Sequence, residues 1–383
     1  MNIQLLNKIA PVGLEQLGAG YGIGTDIADP DGILVRSAVM HEMTFGDRLT
    51  AIARAGAGVN NIPVDRCSAA GIAVFNTPGA NALGVKELAV CALLLAARDV
   101  LGGVEWVKGL HAPDVTGQVE KGKSAFAGYE LAGKTLGVIG LGAIGGMIAN
   151  TALALEMKVI GCDPFLSVEG AWNLDHRVVR AASFDEIFAA ADYITLHVPA
   201  TADTKGMICA ESLAKMRDGV RIVNLARADL CAAADLCAAL ESGKVARYVT
   251  DFPTDEMMGA KNAILIPHLG ASTEESENNC AVMAARELDD YLRNGNIRNS
   301  VNYPNLEQPR TGDARICVLH ANVPAVLSGI TSALAAGALN IENMTNKSKG
   351  DNAYTVLDVS PVPADDVAAH IRAIPGVCRV RVL

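Results

Sequence analysis

The chain has 383 residues, of which 50% are hydrophobic and only 4% aromatic, and it carries a formal net charge of −10. That balance excludes nonspecific binding to nucleic acid or to an anionic membrane surface. The length suggests two or three domains built on Ala, Val, Leu, Ile and Gly, which suits parallel sheets covered by helices. Nine cysteines, with no C-x-x-C spacing, read as small buried hydrophobes of a reducing cytoplasm rather than a disulfide framework. No charged segment with a cleavage site opens the chain. The longest apolar stretch, Leu88–Ala97, is too short to span a bilayer.

Residues 1 to about 100 alternate between short strands and helices. Gly32–Ala38, Thr50–Ala55 and Ile72–Thr77 are strand-like, and Pro63–Ala70 and Ala82–Ala97 are helix-like. Arg36-Ser37-Ala38 follows one apolar strand, and the loop from Ala55 through Gly56, Ala57 and Gly58 to Asn61 follows another. Ligands of open α/β sheets bind at the carboxyl ends of strands, and a glycine-rich loop offers backbone N–H groups to an anion. Both loops are therefore candidates for seating a substrate. Asp99–Gly133 is polar and glycine-rich, holds Trp106, Lys121 and Lys123, and reads as a long crossover or interface segment.

The strongest local pattern is Leu136–Asp163. An apolar strand, Leu136–Ile139, enters Gly140-Leu141-Gly142-Ala143-Ile144-Gly145; a helix over Ile148–Met157 and a second strand, Lys158–Cys162, lead to Asp163. Gly140 permits the tight turn, Gly142 clears space for a pyrophosphate, and Gly145 lets the helix close on the sheet. The helix N-terminus presents unpaired N–H groups to phosphate. Asp163 stands where a carboxylate accepts ribose hydroxyls, and its charge favours NAD over NADP.

Further strands are expected at Tyr193–Val198, Arg221–Ala226, Ala246–Asp251 and Ala263–Ile266, with helices at Phe184–Ala191, capped by Ser183, and at Leu230–Glu241, closed by Gly243. Thr273–Asn294 has a long helical period, and Gly295–Thr311 has linker-like composition. Strands Arg315–His320, Ile341–Asn346, Ala353–Ser360 and Cys378–Val382, with helices Ala325–Ala336 and Ala364–Ile374, spell βαββαβ, a ferredoxin-like unit.

Three polar groups follow strand ends of the glycine-turn domain: Arg227, the acids Asp251, Asp255 and Glu256, and His268. Hydride transfer from an alcohol needs a base for the hydroxyl proton, which histidine supplies near working pH. It needs a cation that grips a carboxylate, which the planar fork of arginine does. A carboxylate beside the histidine keeps it oriented. No metal-ligand spacing and no P-loop is present, and hydride transfer requires no metal.

Gly140–Gly145 with Asp163, Asn224-Leu225-Ala226-Arg227, Asp251-Phe252-Pro253-Thr254 and Pro267-His268-Leu269-Gly270-Ala271-Ser272-Thr273 resemble the D-isomer-specific 2-hydroxyacid dehydrogenases. Phe75–Asn81 and the closing segment, which resembles an ACT domain, narrow the resemblance to members that oxidise D-3-phosphoglycerate. The resemblance implies a Rossmann-type NAD domain (99–272) inserted in a flavodoxin-like substrate domain (1–98 and 273–303), a linker (304–313) and an ACT domain (314–383). It further implies the opening step of L-serine synthesis and a homodimer or homotetramer. Another D-2-hydroxy acid, or a non-catalytic NAD sensor, are the alternative readings.

Position by position, the resemblance makes Arg227 the substrate-binding arginine and His268 the acid/base. Gly140, Gly142, Ala143, Ile144, Gly145, Asp163, His197, Val198, Pro199, Thr204, Leu225, Ala226, Arg227, Asp251, His268, Gly270 and Ala271 are expected along the cofactor. Arg36, Ser37, Gly56, Ala57, Gly58 and Asn81 are expected at the substrate. The family pattern Asp-Val-Phe-x-x-Glu is altered here. Asp255 occupies the Glu position, and Glu256 follows it. Glu256 is favoured as the partner of His268 for its reach, Asp255 is the alternative, and Asp251 would face the nicotinamide. In the closing segment, His320, Asn322 and Asn340 resemble residues that hold L-serine as an effector, and Ala325 replaces a usual glycine.

Overall fold

Continuous apolar runs bounded by glycine turns form parallel strands buried on both faces, and this chain uses them twice. The computed structural model describes residues 1–383. They divide into two units, Met1–Asn81 with Glu274–Leu383, and Ala82–Thr273.

The first unit opens with strands β1 (Asn2–Leu5), β2 (Gly22–Gly24), β3 (Gly32–Val35), β4 (Ala51–Arg54) and β5 (Ala73–Phe75). They form a parallel five-stranded sheet in the order β2-β1-β3-β4-β5, the doubly wound flavodoxin-like order. β1 and β2 went unread in the sequence because Asn2–Leu5 and Gly22–Gly24 are short and mixed in polarity.

The second unit carries β6 (Thr135–Ile139), β7 (Lys158–Cys162), β8 (Val179–Arg180), β9 (Tyr193–Leu196), β10 (Val220–Asn224), β11 (Val245–Thr250) and β12 (Ala263–Leu265). All pair in parallel, in the order β12-β11-β10-β9-β6-β7-β8. This is the Rossmann order with one further strand. The Ala82–Ala97 helix falls in this unit and not with residues 1–81, so the boundaries lie at 81/82 and 273/274 rather than 98/99 and 272/273. The helix is small and apolar on all sides, and its Val85, Ala89, Ala92 and Leu93 share one core with Ile148, Ala152 and Val223. Asp99–Gly133, expected as a crossover, is largely helical: Val100–Lys108 and Val115–Gly122 are capped by Asp99 and Asp114, whose side chains accept from the N–H of Gly102 and Gly117.

The closing segment of the first unit forms β13 (Ala314–Ala321), β14 (Asn340–Lys349), β15 (Asn352–Ser360) and β16 (Val377–Val382). Their antiparallel order β14-β15-β13-β16, with helices Val326–Ala336 and Asp365–Arg372, is the ferredoxin-like arrangement. This segment is not an independent bead. Leu319, Tyr354 and Val356 share a core with Phe75, Leu288 and Tyr291. Residues 304–313, expected as a linker, are pinned instead. Leu306 is buried and exchanges both backbone hydrogen bonds with Ile297 at 2.9 Å, and Gln308 is buried against Asp358. Proline and asparagine suggest a linker by composition, but the apolar Tyr303 and Leu306 find a core.

Two acids lie inside this unit. Arg315 and Asp358 are both 0% exposed and joined by two hydrogen bonds, 2.7 and 2.9 Å. Glu287, on the Glu274–Asn294 helix, is 6% exposed. Burial pushes its carboxyl up to about 8, against the opposing pull of Asn299 and Arg298. Between an unfolded value of about 4.3 and that folded value, the native chain holds a proton that the unfolded chain has released. Rising pH therefore costs stability across this window. We expect Glu287→Gln to lose less melting temperature than the parent between pH 4.5 and pH 8.5; parallel thermal melts at both pH values check this, and equal losses contradict it.

Candidate active site

At the carboxyl end of β6 the chain turns through Gly140, whose φ of +88° suits glycine. A Cβ there would lie 2.6 Å from the His197 carbonyl, and one at Gly145 would lie 1.9 Å from the Gly140 carbonyl. These two glycines are therefore demanded by close packing. At Gly142, by contrast, nothing lies within 4 Å of a built Cβ. Gly142 is also the N-cap of the Ala143–Ala154 helix, and no side chain caps that helix. The first-turn N–H groups are thus left for an anion.

Asp163, just past β7, accepts from Leu141 N–H and Phe165 N–H, both at 2.9 Å. These bonds fix the carboxylate beside the glycine turn and leave it further lone pairs. A cavity of about 370 Å³ opens there, lined by Gly142, Ala143, Asp163, Phe165 and Leu174 among others. The open position at Gly142, the uncapped helix and the anchored acid fit a dinucleotide. Val198 and Pro199 follow β9, and Thr204 folds its hydroxyl back onto the Pro199 carbonyl at 2.5 Å. His197 contacts Thr195 Oγ1 at 2.8 Å, and burial pushes its imidazole down to about 3, so it is neutral at working pH.

Arg227, Asp251 and His268 meet around Phe252. The His268 ring lies 4.5 Å from the Phe252 ring, centroid to centroid, and the Arg227 guanidinium lies over the same ring at 5.8 Å. Asp251 is 1% exposed; its Oδ2 accepts from Gly270 N–H at 3.0 Å, and its Oδ1 is buried without a partner. Burial raises its carboxyl, against the pull of Gly270 N–H and the charges of His268 and Arg227.

Glu256, the favoured acid, and Asp255 are not gathered with this group. Both are exposed, on the short 3₁₀ turn Asp255–Met257. That turn buries Met257, and Glu256, one residue earlier, is left outward. It lines a cavity of about 440 Å³ with Lys205, Asp229, Tyr248 and Phe252, and its own backbone N–H holds its carboxyl below the usual range.

Sequence reasoning missed the residues that hold this cluster. Buried Asn224 accepts from Ala226 N–H and Arg227 N–H through Oδ1, and its Nδ2 donates to the Arg227 carbonyl at 2.8 Å. Thr250 Oγ1 donates to the Asn224 carbonyl at 2.8 Å and accepts from Phe252 N–H at 3.1 Å. The ends of β10 and β11 are thereby locked to each other. A signal was available: a polar residue closing each of two apolar strands, Asn224 and Thr250. Leu225 is buried, and Gly270 and Ala271 follow His268 beside Asp251.

In the first unit, Arg36, Ser37 and Ala38 all turn their N–H groups onto Asn7 Oδ1, at 3.0, 2.9 and 2.9 Å. Arg36 pairs with Glu277 at 2.6 Å. Arg54, which the sequence reading passed over, donates to the Arg36 carbonyl at 3.0 Å and lies against Gly56. The Arg54 guanidinium thus lies against the Gly56-Ala57-Gly58 loop, while that of Arg36 is engaged by Glu277, and Asn81 closes this part of the unit.

The expected effector group is rearranged. His320 is 3% exposed, and both ring nitrogens are occupied, by the Ala321 carbonyl at 2.8 Å and Thr355 Oγ1 at 2.9 Å. It lies on β13, a central strand paired on both edges. Asn322 donates to the Gly350 carbonyl and Asn340 to Glu342. Ala325 has a φ of +71°, where glycine is favoured.

Sheet order, glycine turn, anchored acid and the Arg227–His268 pair define the class of dinucleotide-dependent α/β dehydrogenases. Residues 91–270 match the profile of the D-isomer specific 2-hydroxyacid dehydrogenase, NAD binding domain. D-3-phosphoglycerate dehydrogenase 1 of Saccharomyces cerevisiae is 32% identical over 334 residues, which is 81% of this chain and 68% of that protein. The chain belongs to the D-isomer-specific 2-hydroxyacid dehydrogenase family. D-3-phosphoglycerate dehydrogenase of Synechocystis sp. is 35% identical over 80% of this chain, and the chain spans only 55% of that protein. A crystal structure of NAD⁺-bound 3-phosphoglycerate dehydrogenase from Entamoeba histolytica is similar with a TM-score of 0.62 and 27% identity, covering 79% of this chain and 98% of that one. No helix of the chain is long and apolar enough to cross a membrane.

Proposed function

We propose that this chain binds NAD and oxidises D-3-phosphoglycerate to 3-phosphohydroxypyruvate, the opening step of L-serine synthesis. The observation that carries the reading is the convergence of Arg227 and His268 on Phe252 above the buried Asp251. When bound, NAD supplies the hydride acceptor. Gly142 and the open helix N-terminus hold its pyrophosphate, and Asp163 holds its ribose.

His268 Nε2 or Nδ1 takes the proton of the C2 hydroxyl. Arg227 grips the adjacent carboxylate and stabilises charge growing on the C2 oxygen. Asp251, and not Glu256, is the acid that acts on His268: it is buried, tied to Gly270 two residues on, and within electrostatic reach of both partners. Phe252 gives the imidazole and the guanidinium a common ring to pack against. In the first unit, the Gly56–Gly58 loop and Arg36 are the candidates that help to seat the substrate.

L-serine as an effector would rest on Asn322 and Asn340, which remain at the surface, rather than on His320. A homo-oligomer, dimer or tetramer, is supported by the Val100–Lys108 helix, which buries no residue and exposes Val100, Leu101, Val104 and Val107.

The test is a substrate panel of D-2-hydroxy acids followed by NADH absorbance with product removal, with and without L-serine. D-3-phosphoglycerate should give the highest kcat/KM. A better unphosphorylated D-2-hydroxy acid would replace the substrate assignment, and no turnover of any would leave an NAD-binding regulator.

A further inference from the structure

Glu287 stands on the Glu274–Asn294 helix among Ala284, Ala285 and Leu288, a place where a carboxyl is costly without partners. Its Oε1 accepts from Asn299 Nδ2 at 2.6 Å, and its Oε2 is buried without a partner. Asn299 adopts φ +56°, a left-handed conformation that asparagine tolerates better than most residues. In that conformation its carbonyl accepts from the N–H of Asn76, just past β5, at 3.4 Å.

The residues after Asn299 run along the edge of β5. Ser300 bridges Phe75 in antiparallel sense, and Ser300 Oγ donates to the Val74 carbonyl at 3.0 Å. Asn302 accepts from Val74 N–H and donates to the Ile72 carbonyl, both at 2.9 Å. The end of β5 in turn holds the glycine loop. Asn76 Nδ2 donates to the Ala57 carbonyl at 2.5 Å, and Thr77 N–H donates to the Gly56 carbonyl at 3.2 Å. Gly56-Ala57-Gly58 has no side chain beyond a methyl with which to fix itself, and glycine backbones have the most freedom to lose. Its shape is therefore imposed from Asn76.

We infer that Glu287, acting through Asn299 and Asn76, is a positioning residue for the Gly56–Gly58 loop and so for seating the acid substrate. The inference rests on the proposed role of that loop. Errors of about 1 Å in such a loop are expensive in binding and rate. An effect confined to seating should appear in KM for the hydroxy acid and leave kcat and KM for NAD in place.

The experiment is steady-state kinetics on the full chain at pH 7, with D-3-phosphoglycerate and NAD as the varied reactants, for Glu287→Ala, Glu287→Gln, Asn299→Gly and Asn76→Ala. Glu287→Ala and Asn299→Gly should raise KM for D-3-phosphoglycerate about 5- to 20-fold, with kcat and KM for NAD within about twofold. Asn299→Gly keeps the left-handed backbone and removes only the amide, so it answers the question if Glu287→Ala does not fold. Glu287→Gln keeps an oxygen for Asn299 and should restore the parental KM. The inference fails if Gln is as impaired as Ala, or if KM for NAD moves equally. If Asn76→Ala raises KM while the Glu287 and Asn299 variants do not, the relay is refuted and the substrate loop stands. If Asn76→Ala is also silent, the loop assignment itself falls.

Discussion

His268→Asn should lower kcat by roughly 10²–10⁴, the range for removing a general acid/base from a proton transfer, with NAD affinity retained. Asparagine preserves size and polarity beside Phe252, where the two rings are 4.5 Å apart, so neither Arg227 nor Asp251 loses its setting. The dinucleotide cradle at Gly142 and Asp163 is built from other strand ends and should be untouched. The measurements are turnover by NADH absorbance and cofactor affinity by fluorescence titration. Turnover within a few-fold of the parent would remove His268 from the chemistry. A loss of cofactor affinity matching the loss of turnover would mean that the variant damaged the scaffold.

Asp358→Ala should cost about 3–5 kcal/mol of stability, because it strands a buried guanidinium. Arg315 and Asp358 have no exposed side-chain surface. Asp358 also accepts from Gln308 Nε2 at 2.9 Å and Thr311 N–H at 3.1 Å, while Arg315 donates to the carbonyls of Asn294 and Gln308. Burial alone would raise the Asp358 carboxyl, but the bonds from Arg315, Gln308 and Thr311 outweigh it and hold it below the ordinary range. A depressed carboxyl stabilises the fold above the unfolded carboxylate value, about 3.9, and that contribution disappears as pH falls through the native value. Denaturant unfolding at pH 7 should show the full loss. The parent-minus-variant difference should shrink in acid. A loss below about 1 kcal/mol at pH 7 would be that of a solvated pair. The double variant Arg315→Met/Asp358→Leu should recover much of the loss, since apolar residues of similar volume often match a buried ion pair.

The pair also decides how the closing segment sits in the fold. Its βαββαβ pattern is plain from apolar strand runs alternating with helical periods, and β13 and β15 are apolar on both faces because both faces are buried. Its attachment to the first parallel sheet is carried by Arg315, Gln308, Tyr303 and Leu306. Singly, a buried arginine and a proline-flanked leucine look like surface and linker. Only a three-dimensional core gives them partners.

The same division holds at the active site. The glycine turn and the place of Asp163 beside it were legible because they depend on backbone geometry within one strand, turn and helix, and Arg227 and His268 were legible as side chains that follow strand ends. The order of the two parallel sheets was not legible in full, since β1 and β2 are short and mixed in polarity. Which of the three acids is buried near Phe252 was not legible. Asp251, Asp255 and Glu256 lie within six positions of one another, and their spacing favours the longer side chain. The 3₁₀ turn that buries Met257 points Glu256 outward, while the bond to Gly270 draws Asp251 inward. Likewise His320 is held by Thr355 and Asn299 meets Asn76, partners far away in the sequence. Short-range geometry is written in neighbouring residues; burial and charge pairing are set by whichever distant strands close over them.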